Sequence, residues 1–302
     1  MIVFVTGANG QLGYDVLREL AKRGYTGIGS DRAAACNRET EQEYRQLDIT
    51  DKAAVEAVLR EIKPEAVIHC AAWTDVDAAE EESRRVLVRA VNTTGTHNMA
   101  VAAKAVDAKL LYLSTDYVFG GKGTRPWKPD DKNYKPLNVY GQTKLEGELA
   151  VANTMDKYFI VRTAWLFGCN GRNFIRTMIN AGKTHGEVRV VNDQTGTPTY
   201  TRDLARLLVD MAETDKYGYY HATNAETEPG KYISWYDFCV DIYKQYGLKT
   251  KIVPVTTEEY GLSKAARPLN SRLDKSKLVE AGFQPLPDWQ DAVGRYLAET
   301  GL

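Results

Sequence analysis

The sequence predicts an α/β fold in which a doubly wound parallel sheet carries a smaller, mainly C-terminal substrate lobe. Short apolar runs alternate with helical patterns through the first half of the chain, which is typical of a parallel sheet covered by helices on both faces. The run AVIHCAA is continuously apolar, as expected of a strand buried on both sides. A glycine-rich turn directly follows the first apolar run.

The elements can be assigned in order from these patterns. The strand IVFV leads to a helix from Gln11 to Arg23, and the strand TGIGS precedes a helix from Lys52 to Ile62. The strand AVIHCA is followed by a long helix that ends near Val106 and then by the strand KLLYLS. The stretch GGKGTRPWKPDDKNYKPLN is rich in Gly, Pro, Lys and Asp, which predicts a long irregular loop of the kind that often forms a lid.

The pattern is less regular beyond Thr163. The stretches NFIRTMINAGK and ISWYDFCVDIYKQYG are helix-like, whereas VRVV and YYHAT are strand-like. We therefore predict a dinucleotide-binding domain over 1–165 and a mainly substrate-binding lobe over 166–302. We expect the chain to return to the first domain over about 187–222.

Composition excludes several classes of function. With 302 residues, 43% hydrophobic, 26% charged and a net charge of -1, the chain resembles an ordinary globular protein and has no basic field that would gather nucleic acid. The four cysteines lie far apart, without zinc-site or disulfide-scaffold spacing, which favours thiols in a reducing cytosol. Because we find neither a basic leader nor a run long enough to span a bilayer, we expect a cytoplasmic protein without a membrane partner.

The turn TGANGQLG predicts a dinucleotide site. Gly7, Gly10 and Gly13 open the first helix, where glycines permit a tight turn and bring the backbone close to a pyrophosphate. Asp31 ends the second strand, where a carboxylate accepts the ribose hydroxyls of NADH, and the adjacent Arg32 leaves NADPH open. The alternative is a glycine-rich loop of purely structural use.

Further cofactor candidates lie in the same turn and at the ends of later strands, where open α/β sheets bind ligands. They are Gln11, Leu12, Asp48, Ile49, Ala71, Ala72, Trp73 and Thr74. The alternative for the two alanines is packing between helix and sheet.

The pattern Tyr-x-x-x-Lys occurs twice, in YGQTK and in YGLSK. Only the first copy, Tyr140 and Lys144, follows a strand that delivers a hydroxyl, that of Thr115, to the carboxyl edge of the sheet. On a helix its two side chains share one face. A tyrosine can donate the proton that a ketone needs on hydride reduction, and a lysine one turn along can lower the tyrosine's pKa and hold the nicotinamide ribose.

Several motifs carry a resemblance to a known family. TGANGQLG, LDIT, CAAWT, STDYVF and YGQTK resemble the extended short-chain dehydrogenase/reductases and occur in that family's order. Within it, STDYVF, NVYGQTKLEGE, VRTAWLFG, NFIRTM, DQTGTPT, WYDF and ARP resemble the dTDP-4-dehydrorhamnose reductases over nearly the whole chain. This resemblance implies a Rossmann-like fold and NAD(P)H-dependent reduction of dTDP-4-dehydro-β-L-rhamnose to dTDP-β-L-rhamnose, with a nucleotide sugar as the small-molecule partner.

The resemblance also implies residues around the substrate. Thr115 would orient the carbonyl oxygen, Trp165 would cover the sugar, and Arg267 would pair with the pyrophosphate. Asn92 would belong to a proton relay. The other candidates are Asp116, Tyr117, Val76, Asp77, Asn173, Phe174, Gln194 and Thr197. The alternatives are a core tryptophan for Trp165 and a solvated surface arginine for Arg267.

Other functions stay open at this point. Related sugar-nucleotide dehydratases carry a Glu where this chain has Tyr117, which disfavours elimination of water. A nucleotide-sugar epimerase would share the Tyr/Lys pair but recycle its cofactor, and a regulatory subunit like the β subunit of methionine adenosyltransferase would lack turnover. Some relatives are described with magnesium, but Asp15 alone is not a site and we predict no metal. A homodimer is one of the oligomeric states that the sequence leaves open.

Overall fold

The protein is described by a computed structural model that covers residues 1–38, 40 and 42–302. Its strands are β1 (Ile2–Thr6), β2 (Thr26–Asp31), β3 (Glu43–Gln46), β4 (Ala66–His69), β5 (Lys109–Thr115), β6 (Tyr158–Thr163), β7 (Leu166–Phe167), β8 (Glu187–Val191), β9 (Thr195–Gly196), β10 (Thr199–Tyr200), β11 (Gly218–His221), β12 (Ile233–Ser234) and β13 (Lys251–Val255). Seven of them form a parallel sheet in the order β3-β2-β1-β4-β5-β6-β11.

Helices cover both faces of this sheet and also build the smaller lobe. The helices along the chain are α1 (Gln11–Lys22), α2 (Lys52–Ile62), α3 (Glu82–Arg89), α4 (Thr96–Ala105), α5 (Val139–Thr154), α6 (Phe174–Thr184), α7 (Thr201–Ala212), α8 (Trp235–Tyr246), α9 (Thr257–Tyr260), α10 (Ser276–Glu280) and α11 (Trp289–Thr300). A π-helical segment, Ala90–Gly95, joins α3 and α4. The prediction of a doubly wound α/β fold is confirmed.

The alternation of side chains along β1 explains the two layers. Val3 and Val5 belong to the core that α1 and α7 cover, whereas Phe4 belongs to the core under α2, α4 and α5. All three side chains are fully buried, as the continuous apolar run predicts. The strand order reverses between β1 and β4, which opens a crevice at the carboxyl edge of the sheet.

The smaller lobe has its own core. Strand β8 pairs in parallel with β13, and α6, α8 and α11 contribute apolar side chains to one buried cluster. The segment predicted to return to the first domain is divided: α7 packs on α1 and β11 pairs with β6, but β8 stays in the smaller lobe. The stretch VRVV has the same strand-like pattern whether it joins the large sheet or the smaller lobe. Its pairing with β13 places it in the smaller lobe.

The edge strand β3, with the sequence EYRQ, was not predicted. Three of its four side chains are exposed, so neither an apolar run nor an alternation marks it. It pairs with β2 through backbone hydrogen bonds.

The predicted long loop is anchored to the sheet at two points. Arg162 on β6 is fully buried and donates hydrogen bonds to Glu148 on α5, to the carbonyl oxygen of Pro129 at 3.0 Å and to the hydroxyl of Tyr134 at 3.0 Å. A buried guanidinium needs such partners, and two of them belong to the loop.

Candidate functional site

The glycine turn lies against the end of β4. Gly7 has a φ of +69°, and a Cβ atom there would lie 2.7 Å from the backbone nitrogen of Ala71. At Gly13 a Cβ atom would lie 2.2 Å from the carbonyl oxygen of Gly7. Gly10 is the N-cap of α1, whose free backbone N–H groups open on the crevice. A side chain at Gly7 or Gly13 would therefore clash with the backbone, so both positions require glycine. The turn fits a dinucleotide pyrophosphate.

Asp31 ends β2 beside this turn. Its carboxylate accepts hydrogen bonds from the backbone nitrogens of Asn9 at 3.3 Å and Arg32 at 2.8 Å. The side chain of Arg32 is exposed. Both residues therefore lie where the adenosine ribose of a dinucleotide would be placed by this turn.

The other strand-end candidates differ in exposure. Asp48 is exposed and accepts from Thr50, whereas Ile49 is buried and its carbonyl accepts from Asn98 at 3.0 Å. Leu12 is buried in the core beneath α1. Ile49 and Leu12 are therefore packing residues, whereas Asp48 is accessible to solvent or to a ligand.

Asn92 holds the stretch CAAWT in place. Its side-chain oxygen accepts from the backbone nitrogen of Trp73 at 2.8 Å, and its amide donates to the carbonyl of Trp73 at 3.2 Å and the hydroxyl of Thr143 at 3.1 Å. Ala71 donates from its backbone nitrogen to the hydroxyl of Thr6 at 3.2 Å. Asn92 lies in the π-helical segment, a feature frequent at functional sites. The loop containing Ala72 and Thr74 is thereby fixed beside α5.

Tyr140, Lys144 and Thr115 come together at the carboxyl edge of the sheet. Asn138 caps α5 by accepting from the backbone nitrogen of Gly141 at 2.8 Å, so the helix begins at the right place to set Tyr140 and Lys144 one turn apart. Burial raises the pKa of Tyr140, and the nearby hydroxyl of Thr115 acts in the opposite direction.

The ammonium of Lys144 is held against β5. It donates to the carbonyl oxygen of Leu113 at 2.6 Å and lies 4.1 Å from the ring centre of Tyr112. Burial lowers the pKa of Lys144 itself to about 7, with Glu148 and Cys70 acting in the opposite direction. That Lys144 lowers the pKa of Tyr140 stays a prediction.

The second Tyr-x-x-x-Lys pair has no such geometry. Helix α9 ends at Tyr260, and Gly261 follows in the left-handed conformation with a φ of +62°. Lys264 is exposed and pairs with Glu81 at 3.3 Å. The two side chains therefore do not share a helix face.

Asp116 is the buried carboxyl group next to Thr115. Its Oδ1 accepts from the Thr115 hydroxyl at 3.0 Å, and its Oδ2 has no hydrogen-bond partner among the residues that the structure describes. Burial raises the pKa of Asp116 to about 6, against hydrogen bonding from Ser271 and Thr115. The ring of Tyr117 meets that of Tyr140 edge-on at 5.7 Å. Sequence reasoning missed Ser271, which no motif marks.

Arg267 and Asp77 were both predicted at the substrate, and they bind each other. The guanidinium donates to the two carboxylate oxygens at 3.1 and 2.8 Å. The hydrogen bond from Arg267 lowers the pKa of Asp77. Asp77 also accepts from the backbone nitrogen of Ala265 at 2.9 Å, while the adjacent Val76 is partly buried. Arg267 is therefore held in one orientation rather than free in solvent.

Trp165 lies between the two lobes in an aromatic stack. Its ring stacks on Trp235 at 3.9 Å and 19°, and Phe174 lies 4.5 Å from Trp235. Sequence reasoning quoted Trp235 only as part of a motif and gave it no role.

The candidates Gln11, Asn173 and Gln194 each form hydrogen bonds within the protein. Asn173 caps α6 and donates to the carbonyl of Gly168 at 2.9 Å, and Gln11 accepts from the backbone nitrogen of Gly168 at 2.8 Å and from Asn173 at 3.2 Å. Gln194 donates to the hydroxyl of Thr257 at 3.0 Å. Gln11 and Asn173 thus connect the glycine turn to the smaller lobe.

Thr197 is a different case, because its buried hydroxyl has no partner within the part of the chain that the structure describes. An unpaired buried hydroxyl next to the aromatic stack leaves one position for a ligand to satisfy.

Within the described residues, no cluster of three or more His, Cys, Asp or Glu side chains has the arrangement of a metal site. None of the described helices combines the length and apolar character needed to cross a membrane. The four cysteines are free thiols.

Comparison with known proteins agrees with this geometry. A family model described as the RmlD substrate binding domain matches residues 1–301. The chain is 37% identical over 297 residues to the spore coat polysaccharide biosynthesis protein SpsK of Bacillus subtilis, with 98% of this chain and 97% of that protein covered. It is 40% identical over 295 residues to a dTDP-4-dehydrorhamnose reductase of Streptomyces griseus, with 96% and 90% covered.

A solved structure extends the likeness to three dimensions. The crystal structure of dTDP-4-dehydrorhamnose reductase from Bacillus anthracis in complex with NADP has a TM-score of 0.89 and 40% identity, with 99% of each chain covered. Since the family model and these relatives match almost every residue, the chain belongs to the RmlD substrate binding domain family.

Proposed function

We propose that the protein reduces the 4-keto group of dTDP-4-dehydro-β-L-rhamnose to give dTDP-β-L-rhamnose, with NADPH or NADH as the reductant. The observation that carries this proposal is the placement of Thr115, Tyr140 and Lys144 at the sheet edge next to the glycine turn. The relatives named dTDP-4-dehydrorhamnose reductase support the choice of substrate.

Tyr140 is the proton donor in this proposal. The reduced nicotinamide supplies the hydride, and negative charge then develops on the former carbonyl oxygen. A phenol whose pKa is raised by burial is fully protonated at neutral pH, so Tyr140 holds the proton until that charge appears. Thr115, at the end of β5, orients the carbonyl oxygen, and Lys144 supplies donors for the nicotinamide ribose.

Both nicotinamide cofactors fit the ribose end of the site. Asp31 suits free ribose hydroxyls, whereas Arg32, which is exposed, suits a 2'-phosphate. The Bacillus anthracis relative was crystallised with NADP. We therefore infer that NADPH is used as well as NADH, with Asp31 limiting the preference for the phosphorylated form.

The sugar and its diphosphate would lie between the lobes. Asp116, whose Oδ2 has no partner within the described chain, and Tyr117 face the reacting carbon in this proposal. Trp165 covers the apolar face of the deoxyhexose. Arg267 binds the diphosphate while Asp77 holds the guanidinium in place.

Location and assembly follow from the proposed reaction only as inferences. A nicotinamide-dependent step on a nucleotide sugar fits the cytoplasm, and a homodimer stays a prediction that measurement of the molar mass in solution would test.

The test is an assay of purified protein with NADH or NADPH and a panel of nucleoside-diphosphate 4-keto-hexoses. We expect one mole of cofactor to be oxidised for each mole of dTDP-4-dehydro-β-L-rhamnose reduced. An epimerase would recycle its cofactor and leave the absorbance of NAD(P)H unchanged. Absence of turnover on every sugar of the panel would contradict the proposal and favour a regulatory subunit.

A further inference from the structure

The backbone at Trp165 is in an unusual conformation. Its φ is +52°, in the left-handed region that a bulky residue rarely adopts. Such a conformation persists only where the surroundings hold it, and it is most often found at functional sites. The residue lies between β6 and β7, directly before Leu166, and its carbonyl oxygen accepts from the backbone nitrogen of Thr199 at 3.2 Å.

Trp235 covers one face of the Trp165 ring. The ring centres are 3.9 Å apart and the planes are tilted by 19°. Trp235 is the first residue of α8, and the cap of this helix is fixed: Ser234 and Asp237 form a reciprocal capping box. The backbone of Trp235 is therefore held by a cap that does not involve Trp165.

The edge of the Trp165 ring has little free space. A Cβ atom at Gly196 would lie 3.2 Å from Cζ2 of Trp165, so a side chain there would crowd the ring. Strand β9, which contains Gly196, pairs with β12, which leads directly into Trp235. Gly196 in β9 and Trp235, directly after β12, are thus brought to the Trp165 ring by the pairing of these two strands.

Trp165 also contacts the catalytic side of the molecule. It packs against an apolar cluster that contains Val118 and Leu145, the neighbours in sequence of Tyr117 and Lys144. The ring therefore joins the elements that carry the proposed proton donor to the aromatic core of the smaller lobe.

We infer that Trp235 is a positioning residue for the reduction: its stacking fixes Trp165 so that the opposite face of that ring is presented to the sugar. Trp235 does not touch the reacting atoms in this arrangement. The inference rests on the proposed function, because the ring of Trp165 matters only if a sugar lies against it.

The experiment compares Trp235→Leu and Trp235→Phe with the control Trp289→Leu. Trp289 is matched to Trp235 because it is also the first residue of a helix and also contacts Phe238, at 5.8 Å against 6.1 Å, but it is not among the aromatic partners of Trp165. Each variant is assayed with NADPH and the dTDP-linked 4-keto sugar. The affinity for NADPH and the circular dichroism couplet of the stacked indoles are measured on the same samples.

We expect Trp235→Leu to lower kcat/KM for the sugar on the order of tenfold to a hundredfold, as a misplaced substrate contact does, while NADPH affinity stays within about twofold. The couplet should disappear in this variant. Trp235→Phe keeps an aromatic face and should recover most of kcat/KM. Trp289→Leu should keep the couplet and kcat/KM, with only a lower melting temperature.

Two results would overturn the role of Trp235 while the proposed function stands: unchanged kcat/KM in Trp235→Leu, or an equal loss in Trp289→Leu. A couplet that survives in Trp235→Leu would also exclude the stacked pair as its source. A wild-type protein that does not reduce the sugar would instead overturn the proposed function and the inference with it.

Discussion

Burial changes the chemistry of Lys144. The residue is 3% exposed, and burial lowers its pKa to about 7, so its protonation changes within the ordinary working range of an enzyme. Tyr140 has the opposite shift, since burial raises its pKa and keeps its proton in place. The two residues of one helical turn therefore have distinct roles before any ligand is considered: a stable proton on the phenol and a variable charge on the amine.

The first prediction concerns the two Tyr-x-x-x-Lys copies. Tyr140→Phe should lower kcat by about 10² to 10⁴, the usual contribution of a positioned general acid, with cofactor binding largely retained. Tyr260→Phe is the control; it should leave kcat unchanged and alter the free energy of unfolding by no more than about 0.5 kcal/mol. Turnover of the 4-keto sugar measures both, and comparable losses would refute the assignment of Tyr140.

The second prediction follows from the pKa of Lys144. A lysine with a pKa of about 7 in the free enzyme loses its charge as the pH rises, and an anionic cofactor favours the charged form. NADPH affinity should therefore fall as the pH rises through about 7, with proton uptake on binding above it. Calorimetric titration at several pH values measures this. Lys144→Met should remove the fall in NADPH affinity near pH 7. Lys144→Arg, whose guanidinium stays charged, should shift this fall to a pH above the measured range. A fall of equal size in Lys144→Met would exclude Lys144 as the titrating group.

The third prediction concerns Asp31. Replacement by Ala removes the carboxylate that would repel a 2'-phosphate, so the preference should shift toward NADPH. The observable is the ratio of kcat/KM for NADPH to that for NADH. If Asp31→Ala leaves this ratio unchanged, Asp31 does not contact the ribose.

At the scale of elements, one face of α5 has two functions. It carries Tyr140 and Lys144, and Glu148, one turn beyond Lys144, is buried and binds the guanidinium of Arg162 and the hydroxyl of Ser114. The same guanidinium fixes the loop after β5. The helix that carries the proposed proton donor is therefore held to the sheet and the loop by one buried ion pair.

The fourth prediction tests that ion pair. Glu148→Gln leaves the guanidinium of Arg162 buried without its counter-ion and should lower the free energy of unfolding by about 3 to 5 kcal/mol. Glu146→Gln on the same helix is the control: Glu146 is partly buried, but its partner Arg89 is 58% exposed and screened by solvent, so the change should be no more than about 1 kcal/mol. Denaturant unfolding measures both. Equal effects would mean that the burial of the Arg162 pair contributes nothing beyond an ordinary surface contact.

At the scale of the whole molecule, local patterns predicted the sheet and its carboxyl-edge residues because apolar runs and turn glycines are determined by nearby sequence. Contacts between distant segments were not predictable in this way. Asp77 and Arg267 were each singled out by a motif, but their pairing across 190 positions follows only from the packing of the two lobes. Burial of Lys144, which lowers the pKa of its ammonium, is likewise a property of the assembled fold that no local pattern marks.

The last prediction uses the contact between the lobes. Arg267→Ala should weaken binding of the nucleotide sugar and leave NADH affinity nearly intact, because in the proposed function the guanidinium pairs with the diphosphate of the sugar and not with the cofactor. Asp77→Asn is the matched control: it weakens the ion pair but keeps the guanidinium, so its loss of sugar affinity should be smaller.

Calorimetric titration of each ligand on each variant separates the two roles of this pair. Equal losses of sugar affinity in Arg267→Ala and Asp77→Asn would mean that the pair only holds the loop, and equal losses for sugar and NADH would indicate a folding defect. A loss confined to the sugar and larger in Arg267→Ala requires a direct contact between the guanidinium and the diphosphate, since the two variants disturb the same lobe contact and differ in whether the cation remains.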